Sequence, residues 1–141
     1  MNPQSKQAAR QSLAGVRLRR HSDYQLAYAA ARKRQSASMS WFLAPQPEGG
    51  NHAAGPRIGL TAGKVLGKAH DRNRIKRRMR EALRRHIDLL PQGFDLILHP
   101  RRSVLTIEFA KLEAEIVRIL QQASAEIVRS TGARPHAEPE I

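Results

Sequence analysis

The chain has 141 residues, no cysteine and a formal net charge of +13. This length fits one domain with a modest core. The absence of cysteine excludes a disulfide framework and a thiolate zinc site, and it is compatible with the cytoplasmic location that we expect. No apolar run approaches the length of a membrane span, and residues 1–15 lack the apolar core of a secretory signal. Residues 1–90 hold 19 Lys and Arg against 5 Asp and Glu, so we expect a basic surface in the first two-thirds of the chain.

The N-terminal part of the chain predicts a tail followed by a helix. Residues 1–15 are polar and basic, which is typical of a disordered tail. Ser22 or Asp23 can then cap a helix of about ten residues. The basic triplet at residues 32–34 follows this helix.

Alternating apolar residues predict the next elements to be strands. Over residues 39–44 the alternation places Trp41 on one face and Phe42 on the other, and Trp41 is the better candidate for the core. A loop rich in Pro, Gly and Asn follows over 46–56. The run at 57–62 then predicts a second strand with its Ile and Leu facing inward.

The C-terminal half predicts two helices with a buried strand between them. Residues 63–70 lead into the first helix, for which Asp71 is the expected N-cap. Residues 94–99 form an apolar run short enough for a buried strand. A second amphipathic helix spans 108–129, and residues 130–141 are expected to form a disordered tail.

These elements predict an α+β fold, specifically an α-β sandwich, for one domain over residues 16–129. A small central sheet of about four strands carries three helices in the order αβββαβα. Three of the strands are located by the patterns above, and the fourth is not.

The segment at residues 72–85 combines an amphipathic helix with a very dense positive charge. Its apolar residues recur at helical spacing, so one narrow stripe can pack on a core while the rest of the circumference is basic. Glu81 is its only acid, and its eight basic residues are Arg72, Arg74, Lys76, Arg77, Arg78, Arg80, Arg84 and Arg85. A polyanion would remove the repulsion between these like charges. We therefore interpret the helix as a nucleic-acid-binding surface rather than as a solvated charged face.

Catalytic or metal-binding constellations are hard to find in the sequence. None of the six histidines pairs with another at a spacing of four, so we interpret each as a surface or loop residue: His21, His52, His70, His86, His99 and His136. Glu113 and Glu115 are two residues apart and therefore point to different sides of a helix, unlike a paired acid and base. Gly63-Lys64 lacks the first glycine of a Walker motif. If the chain takes part in an enzyme, we expect its side chains to position the substrate while another component supplies the chemistry.

Four motifs, in the expected order over residues 16–128, resemble the protein subunit of bacterial ribonuclease P. The most specific one matches the signature helix of that family and reads Arg72-Asn73-Arg74-x-Lys76-Arg77-x-x-Arg80. It is preceded by the Gly-Leu-Thr-Ala-Gly-Lys stretch at 59–64. Residues 18–28 resemble the first helix of the family, and 95–100 with 112–120 resemble its final strand and helix.

The chain departs from the family pattern at several positions. Tyr24 and Tyr28 stand where the family usually has Phe. Val65 replaces a second lysine, and the family commonly has glycine near Ala31 and asparagine near Lys68. These departures leave the exact phosphate contacts of residues 63–70 open.

The resemblance implies a ribonucleoprotein endonuclease that removes 5′ leaders from precursor tRNA. In that family the RNA subunit holds the catalytic centre and its Mg²⁺ ions, while the protein binds both this RNA and the leader. No metal bound by protein side chains is expected. The resemblance also implies that the basic helix joins two parallel strands by a left-handed crossover, against the general preference for the right hand.

The resemblance further implies two RNA-binding surfaces. Contacts with the catalytic RNA would come from Lys64, Arg72, Asn73, Arg74, Lys76, Arg77 and Arg80. The leader would lie in a cleft between the first helix and the sheet, where Tyr24, Tyr28 and Phe42 are stacking platforms. For each tyrosine, the residues alone leave open a core position with the hydroxyl at the surface. Two other functions also stay open: a structural RNA-binding protein of the ribosomal type, and a DNA-binding protein with its basic helix in a major groove.

Overall fold

The structure, a computed structural model, describes residues 16–18, 20–46, 56–90 and 93–131. Its three helices are α1 (His21–Ala30), α2 (Ala69–His86) and α3 (Phe109–Thr131). Its four strands are β1 (Arg32–Gln35), β2 (Met39–Pro45), β3 (Arg57–Leu60) and β4 (Phe94–Pro100). The predicted α+β class and the order αβββαβα are therefore confirmed. The predicted tail at 1–15, residues 132–141 and most of the 46–56 loop lie outside the described residues, whereas residues 130–131 of the predicted second tail belong to α3.

The four strands form one mixed sheet in the order β1-β2-β4-β3. Strand β2 is antiparallel to both β1 and β4, whereas β3 runs parallel to β4 and reaches it through α2. The left hand of this crossover stays a prediction. The N-terminal segment runs alongside β3, where the Leu18 amide donates to the Ile58 carbonyl over 2.7 Å. Helix α2 and the N-terminal segment thus meet at the same edge of the sheet.

The two faces of the sheet support two cores because strand side chains alternate between faces. The larger core lies under α2 and α3 and includes Met39 and Trp41, of which Trp41 is only 1% exposed. The smaller core lies under α1 and includes Ala44 and Ile97, with Phe42 packed at its border. The predicted placement of Trp41 and Phe42 on opposite faces is confirmed.

Each long helix buries one apolar stripe, as its spacing predicts. In α2 the buried residues are Ile75, Met79, Ala82 and Leu83. In α3 the buried apolar residues are Leu112, Ile116, Ile119, Leu120, Ala123 and Ile127. The remaining circumference of α2 carries the basic side chains, so the fold displays them on the side of the helix away from the core.

The predicted helix caps are wrong. Helix α2 begins at Ala69 with Lys68 at the N-cap position, and no side chain caps it. Asp71 lies inside the first turn, where its carboxylate is 3.3 Å from the Arg102 guanidinium. Helix α1 likewise begins before the expected cap, and its Asp23 carboxylate faces Arg57. In both cases the acid is paired with a distant arginine and does not cap its own helix.

Candidate nucleic-acid interface

The N-terminal half of α2 displays cations that have no acidic partner. Among the described residues, no carboxylate forms an ion pair with any of the seven predicted RNA-binding residues: Lys64, Arg72, Asn73, Arg74, Lys76, Arg77 and Arg80. Arg74 and Arg77 are exposed, and Arg74 makes only a long contact of 3.4 Å with the Leu105 carbonyl. The Nε of Arg72 is buried without a partner in the described part of the chain. We call these seven residues the open basic surface.

The C-terminal half of α2 carries cations that the protein itself neutralises. Glu81 accepts hydrogen bonds from both Arg84 and Arg85, and Arg85 also lies 3.5 Å from Glu113 on α3. His86 forms a second contact with Glu113 at 2.7 Å. Hydrogen bonds from Arg84 and from His86 lower the pKa of Glu81 and Glu113, respectively. Both acids are therefore charged near neutral pH. Glu81 neutralises arginines of its own helix, whereas Glu113 holds this half of α2 against α3.

Aromatic contacts add to this internal pairing. The guanidinium groups of Arg78 and Arg85 lie 5.9 Å and 5.1 Å from the centre of the Phe109 ring. Arg78 also donates to the Ile107 carbonyl. An arginine held over a ring or against a carbonyl must give up these contacts before it can bind an anion. The cations of α2 therefore fall into two groups that overlap in sequence at Arg78 and Arg80. We call them the open half (Arg72, Arg74, Lys76, Arg77 and Arg80) and the paired half (Arg78, Arg84 and Arg85).

The segment before α2 brings Lys64 close along the chain to the start of the helix. Lys64 is exposed in a 3₁₀ turn, Lys64–Leu66, and Gly67 follows with a positive φ of 116°. A side chain at Gly67 would collide with the guanidinium of Arg102, which donates to the Leu66 carbonyl over 2.5 Å. Glycine is therefore required for the backbone angle, and any side chain here would also force the Arg102 guanidinium to move.

The three predicted cleft residues lie together between α1 and the sheet. The Tyr28 and Phe42 rings meet edge to face with their centres 5.1 Å apart, and the Tyr24 ring lies 6.3 Å from that of Tyr28. All three are half-buried, and they border the smaller core. The structure therefore brings these residues together in a partly exposed cluster, and neither tyrosine is a fully buried core residue.

Tyr24 lies directly over the backbone of β3. A Cβ added to Gly59 would lie only 2.7 Å from the Tyr24 ring, so glycine is needed for this packing. Burial raises the pKa of the Tyr24 hydroxyl. Tyr24 also lines a small pocket with Arg17 and with Arg80 of the open basic surface. The aromatic cluster and the basic helix thus meet at the β3 edge of the sheet.

His99 joins the cluster of Tyr24, Tyr28 and Phe42, a placement that the sequence pattern did not predict. It was interpreted as a surface or loop histidine, but it lies in β4, is half-buried, and bonds the Tyr28 hydroxyl through Nε2 at 2.7 Å. Its ring centre is 5.1 Å from that of Phe42. Strand alternation contained the signal, because His99 shares a face with Ile97, which is the register partner of Phe42. The interpretation of His99 as a surface or loop residue is therefore wrong.

A buried ion network fixes α1 to the sheet beside the cleft. Asp95 is 1% exposed, and its two carboxylate oxygens accept hydrogen bonds from Arg57, each at 2.9 Å. Arg57 also reaches Asp23 of α1 at 3.4 Å. The hydrogen bond to Asp95 raises the pKa of Arg57. This network joins β3, β4 and α1 and fixes the helix that carries Tyr24 and Tyr28 to the sheet.

The acids of α3 are separated, as the sequence predicts. Glu113 faces the paired half of α2, whereas the buried carboxylate of Glu115 accepts the Ser38 amide at 2.7 Å in the turn between β1 and β2. In the described part of the chain, no three His, Asp or Glu side chains are grouped so that they could hold a metal ion. Within those residues no helix is long and apolar enough to cross a membrane.

Comparisons with known proteins agree with this geometry. Residues 14–124 match the family described as Ribonuclease P. The chain is 37% identical over 108 residues to the ribonuclease P protein component of Chloroflexus aggregans, covering 76% of each chain. It is 33% identical over 127 residues to that of a Synechococcus species, covering 87% of this chain and 95% of the relative.

A solved structure has the same fold. The RNase P protein from Thermotoga maritima superimposes with a TM-score of 0.63 at 25% identity, covering 75% of this chain and 96% of that one. The matched region includes all of the open basic surface and the aromatic cluster. The chain belongs to the ribonuclease P protein family.

Proposed function

We propose that this chain binds the RNA subunit of ribonuclease P through the open basic surface and the 5′ leader of precursor tRNA through the aromatic cluster. The observation that carries the proposal is the division of α2 into an open half and a paired half. The six open residues of α2 match the family signature helix, and Lys64 lies in the matching segment before it. This agreement between charge and motif supports an RNA contact at this surface.

The electrostatics of α2 support binding of a phosphate backbone. A guanidinium that already donates hydrogen bonds to a carboxylate gains less from a phosphate, because the first pair must be broken. Arg74 and Arg77 are exposed and bear no such cost. Phosphate contacts by such residues also release counterions and so strengthen binding at modest salt.

The aromatic cluster supports binding of single-stranded RNA. Half-exposed rings at the border of a small core can receive bases, and such stacking tolerates many sequences. The cluster lies on the face of the sheet opposite α2, and the two surfaces approach each other at the β3 edge. One RNA-bound protein could therefore contact the catalytic RNA and the leader at the same time.

The chemistry in this proposal belongs to the RNA subunit and its Mg²⁺ ions. The described residues offer no cluster of acids or histidines to hold such an ion. The protein then contributes binding and orientation of the two RNAs, in the cytoplasm where precursor tRNA is processed. A structural RNA-binding protein of the ribosomal type is not favoured, because the family match covers residues 14–124.

Reconstitution tests the proposal directly. Precursor tRNA is incubated with the chain alone, with a bacterial ribonuclease P RNA alone, and with both, at a low Mg²⁺ concentration. We expect 5′ leader removal to be accelerated only when both are present. Correct cleavage by the RNA-free chain, or no acceleration by the chain, would contradict the proposal. The same failure would return a ribosomal-type or DNA-binding role to consideration.

The cleft is tested by Tyr28→Ala with Leu26→Ala as a matched control. Leu26 lies on the same helix but is 54% exposed and outside the cluster. Each base stack contributes about 1 to 3 kcal/mol at most, so Tyr28→Ala should weaken the binding of precursor tRNA and leave that of mature tRNA nearly unchanged. A purely structural tyrosine predicts a lower melting temperature and equal losses for both ligands.

A further inference from the structure

His99 completes a triangle of rings on the cleft side of the sheet. Its ring centre lies 5.7 Å from that of Tyr28 and 5.1 Å from that of Phe42, while those two rings are 5.1 Å apart. The hydrogen bond at 2.7 Å joins Nε2 of His99 to the Tyr28 hydroxyl across 71 residues of sequence. His99 is therefore fixed by a directional bond, whereas ring packing alone would leave its orientation less defined.

The second ring nitrogen of His99 is available to a ligand. Nδ1 makes no hydrogen bond within the described residues. The buried side-chain atoms without a partner in those residues are the Nε atoms of Arg72 and Arg78, so Nδ1 of His99 is not one of them. Burial lowers the pKa of His99, and the positive charge of Lys33 lowers it further. The imidazole is thus neutral near pH 7. When Tyr28 donates to Nε2, the hydrogen of the neutral ring is on Nδ1, which can then donate to an acceptor.

We propose that His99 is a specificity-determining residue of the leader cleft, in which Nε2 holds Tyr28 and Nδ1 hydrogen-bonds the edge of one leader base. This inference rests on the proposed function. Stacking on Tyr24, Tyr28 and Phe42 discriminates weakly between bases because every base has a π-face. A fixed hydrogen-bonding group beside the stack reads a base edge, as in other recognition of single-stranded RNA. The cleft of this chain therefore prefers certain bases at one leader position.

The test uses the reconstituted holoenzyme and a pool of precursor tRNAs with randomised leaders. Cleavage rates for each leader are compared for the wild-type chain, His99→Phe, His99→Gln and Tyr28→Phe, with the RNA subunit alone as the baseline. His21→Gln is the matched control because His21 is exposed at the start of α1. A neutral hydrogen bond contributes about a 2- to 10-fold preference.

We expect the wild-type chain to prefer certain bases at one leader position by this factor. His99→Phe should flatten the preference, His99→Gln should change the preferred base, and Tyr28→Phe should reduce the preference because the imidazole is no longer oriented. His21→Gln should leave it unchanged. Melting temperatures identify any variant that fails to fold, and if His99→Phe fails, His99→Gln decides.

Two results would overturn the inference. One is a wild-type profile with no preference above the RNA baseline, and the other is an unchanged profile in the folded His99 variants, even if their overall rates fall. Either result leaves the proposed function standing, provided that the wild-type holoenzyme binds precursor tRNA more tightly than mature tRNA. If that difference is absent in the wild type, the proposed function itself fails.

Discussion

Replacing Arg77 or Arg85 with Gln removes the same charge from the same helix, yet we expect different effects on the binding of ribonuclease P RNA. Arg77 is exposed and has no acidic partner among the described residues. Arg85 is held by Glu81 and Glu113 and lies over the Phe109 ring. A phosphate group can bind the Arg77 guanidinium without displacing a carboxylate, whereas at Arg85 it competes with two carboxylates.

The salt dependence of binding gives the magnitude. Each phosphate contact contributes about 0.7 to 0.9 to the slope of log K against log salt. Arg77→Gln should therefore reduce the slope by about 0.7 to 0.9, and Arg85→Gln by less than about half of that. Over a fourfold increase in salt concentration, this reduction of the slope makes the RNA affinity of Arg77→Gln fall about threefold less than that of the wild type.

The assay is fluorescence anisotropy of labelled RNA subunit at several salt concentrations for the three proteins. Circular dichroism first confirms that both variants are folded, since Arg85→Gln also removes contacts with α3. Equal reductions of the slope in both variants would refute the division of α2 into an open and a paired half. An unchanged slope in Arg77→Gln would place the RNA contact elsewhere.

Two further predictions concern the contacts that hold the fold together. Asp95→Asn leaves the Arg57 charge without its buried partner and should lower the free energy of unfolding by about 3 kcal/mol. Asp23→Asn removes a more exposed contact and should lower it by less than about 1 kcal/mol. Urea denaturation compares the two variants, and equal losses would contradict this ranking. The pKa of Glu113 lies below its usual 4.5 mainly because of the hydrogen bond with His86. The ionised Glu113 therefore stabilises the folded state at pH values above 4.5, and this stabilisation is lost as the pH falls through the lower pKa of the folded state. Melting temperatures measured through this acid range should fall less in Glu113→Gln than in the wild type, and parallel curves would show that the pair contributes nothing.

The long helices and the strand faces could be predicted because one periodicity dominates each of them. In α2 the buried apolar stripe is Ile75, Met79, Ala82 and Leu83, and the other faces are mostly charged. In β2 the alternation places Trp41 and Phe42 on opposite faces, and Trp41 is the better candidate for the core. Such elements are specified locally, so tertiary contacts had little to add.

Strand β1 could not be predicted, because its sequence Arg-Lys-Arg-Gln contains no apolar alternation. Its strand conformation comes from pairing with β2, in which Arg32 faces Leu43 and Gln35 faces Ser40. Arg34 additionally pairs with Glu126 of α3 over 2.8 Å. These partners are distant in sequence, so no local pattern indicates that residues 32–35 form a strand.

The candidate site shows the same division between local and tertiary information. The sequence located the basic residues, but it did not show which of them are paired with acids. The pairing of Arg85 and His86 with Glu113 depends on another helix. The contacts of Glu81 with Arg84 and Arg85 were accessible from spacing along one helix. His99 required both the strand alternation and the register with β2 before its contact with the cleft could be recognised.

The open basic surface also has a consequence for the free protein. Unpaired like charges on one helix oppose a folding free energy that is small in any domain of this size. The uncapped start of α2 adds free amide N–H groups near Arg72 and Arg74, a combination that favours anions. We therefore expect the RNA-free chain to be only partly folded at low ionic strength and to become more stable when sulfate or phosphate binds.

The expected stabilisation follows from mass action: at 100 times the dissociation constant, a bound anion contributes about 2.7 kcal/mol. A sulfate titration followed by circular dichroism measures it, and chloride at matched ionic strength separates binding from simple screening. Arg77→Gln should need less sulfate to fold, because it removes one repelling charge, but it should gain less from each bound ion. A melting temperature that depends on ionic strength alone, with sulfate and chloride equivalent, would show that screening accounts for the effect and that no anion is bound at α2.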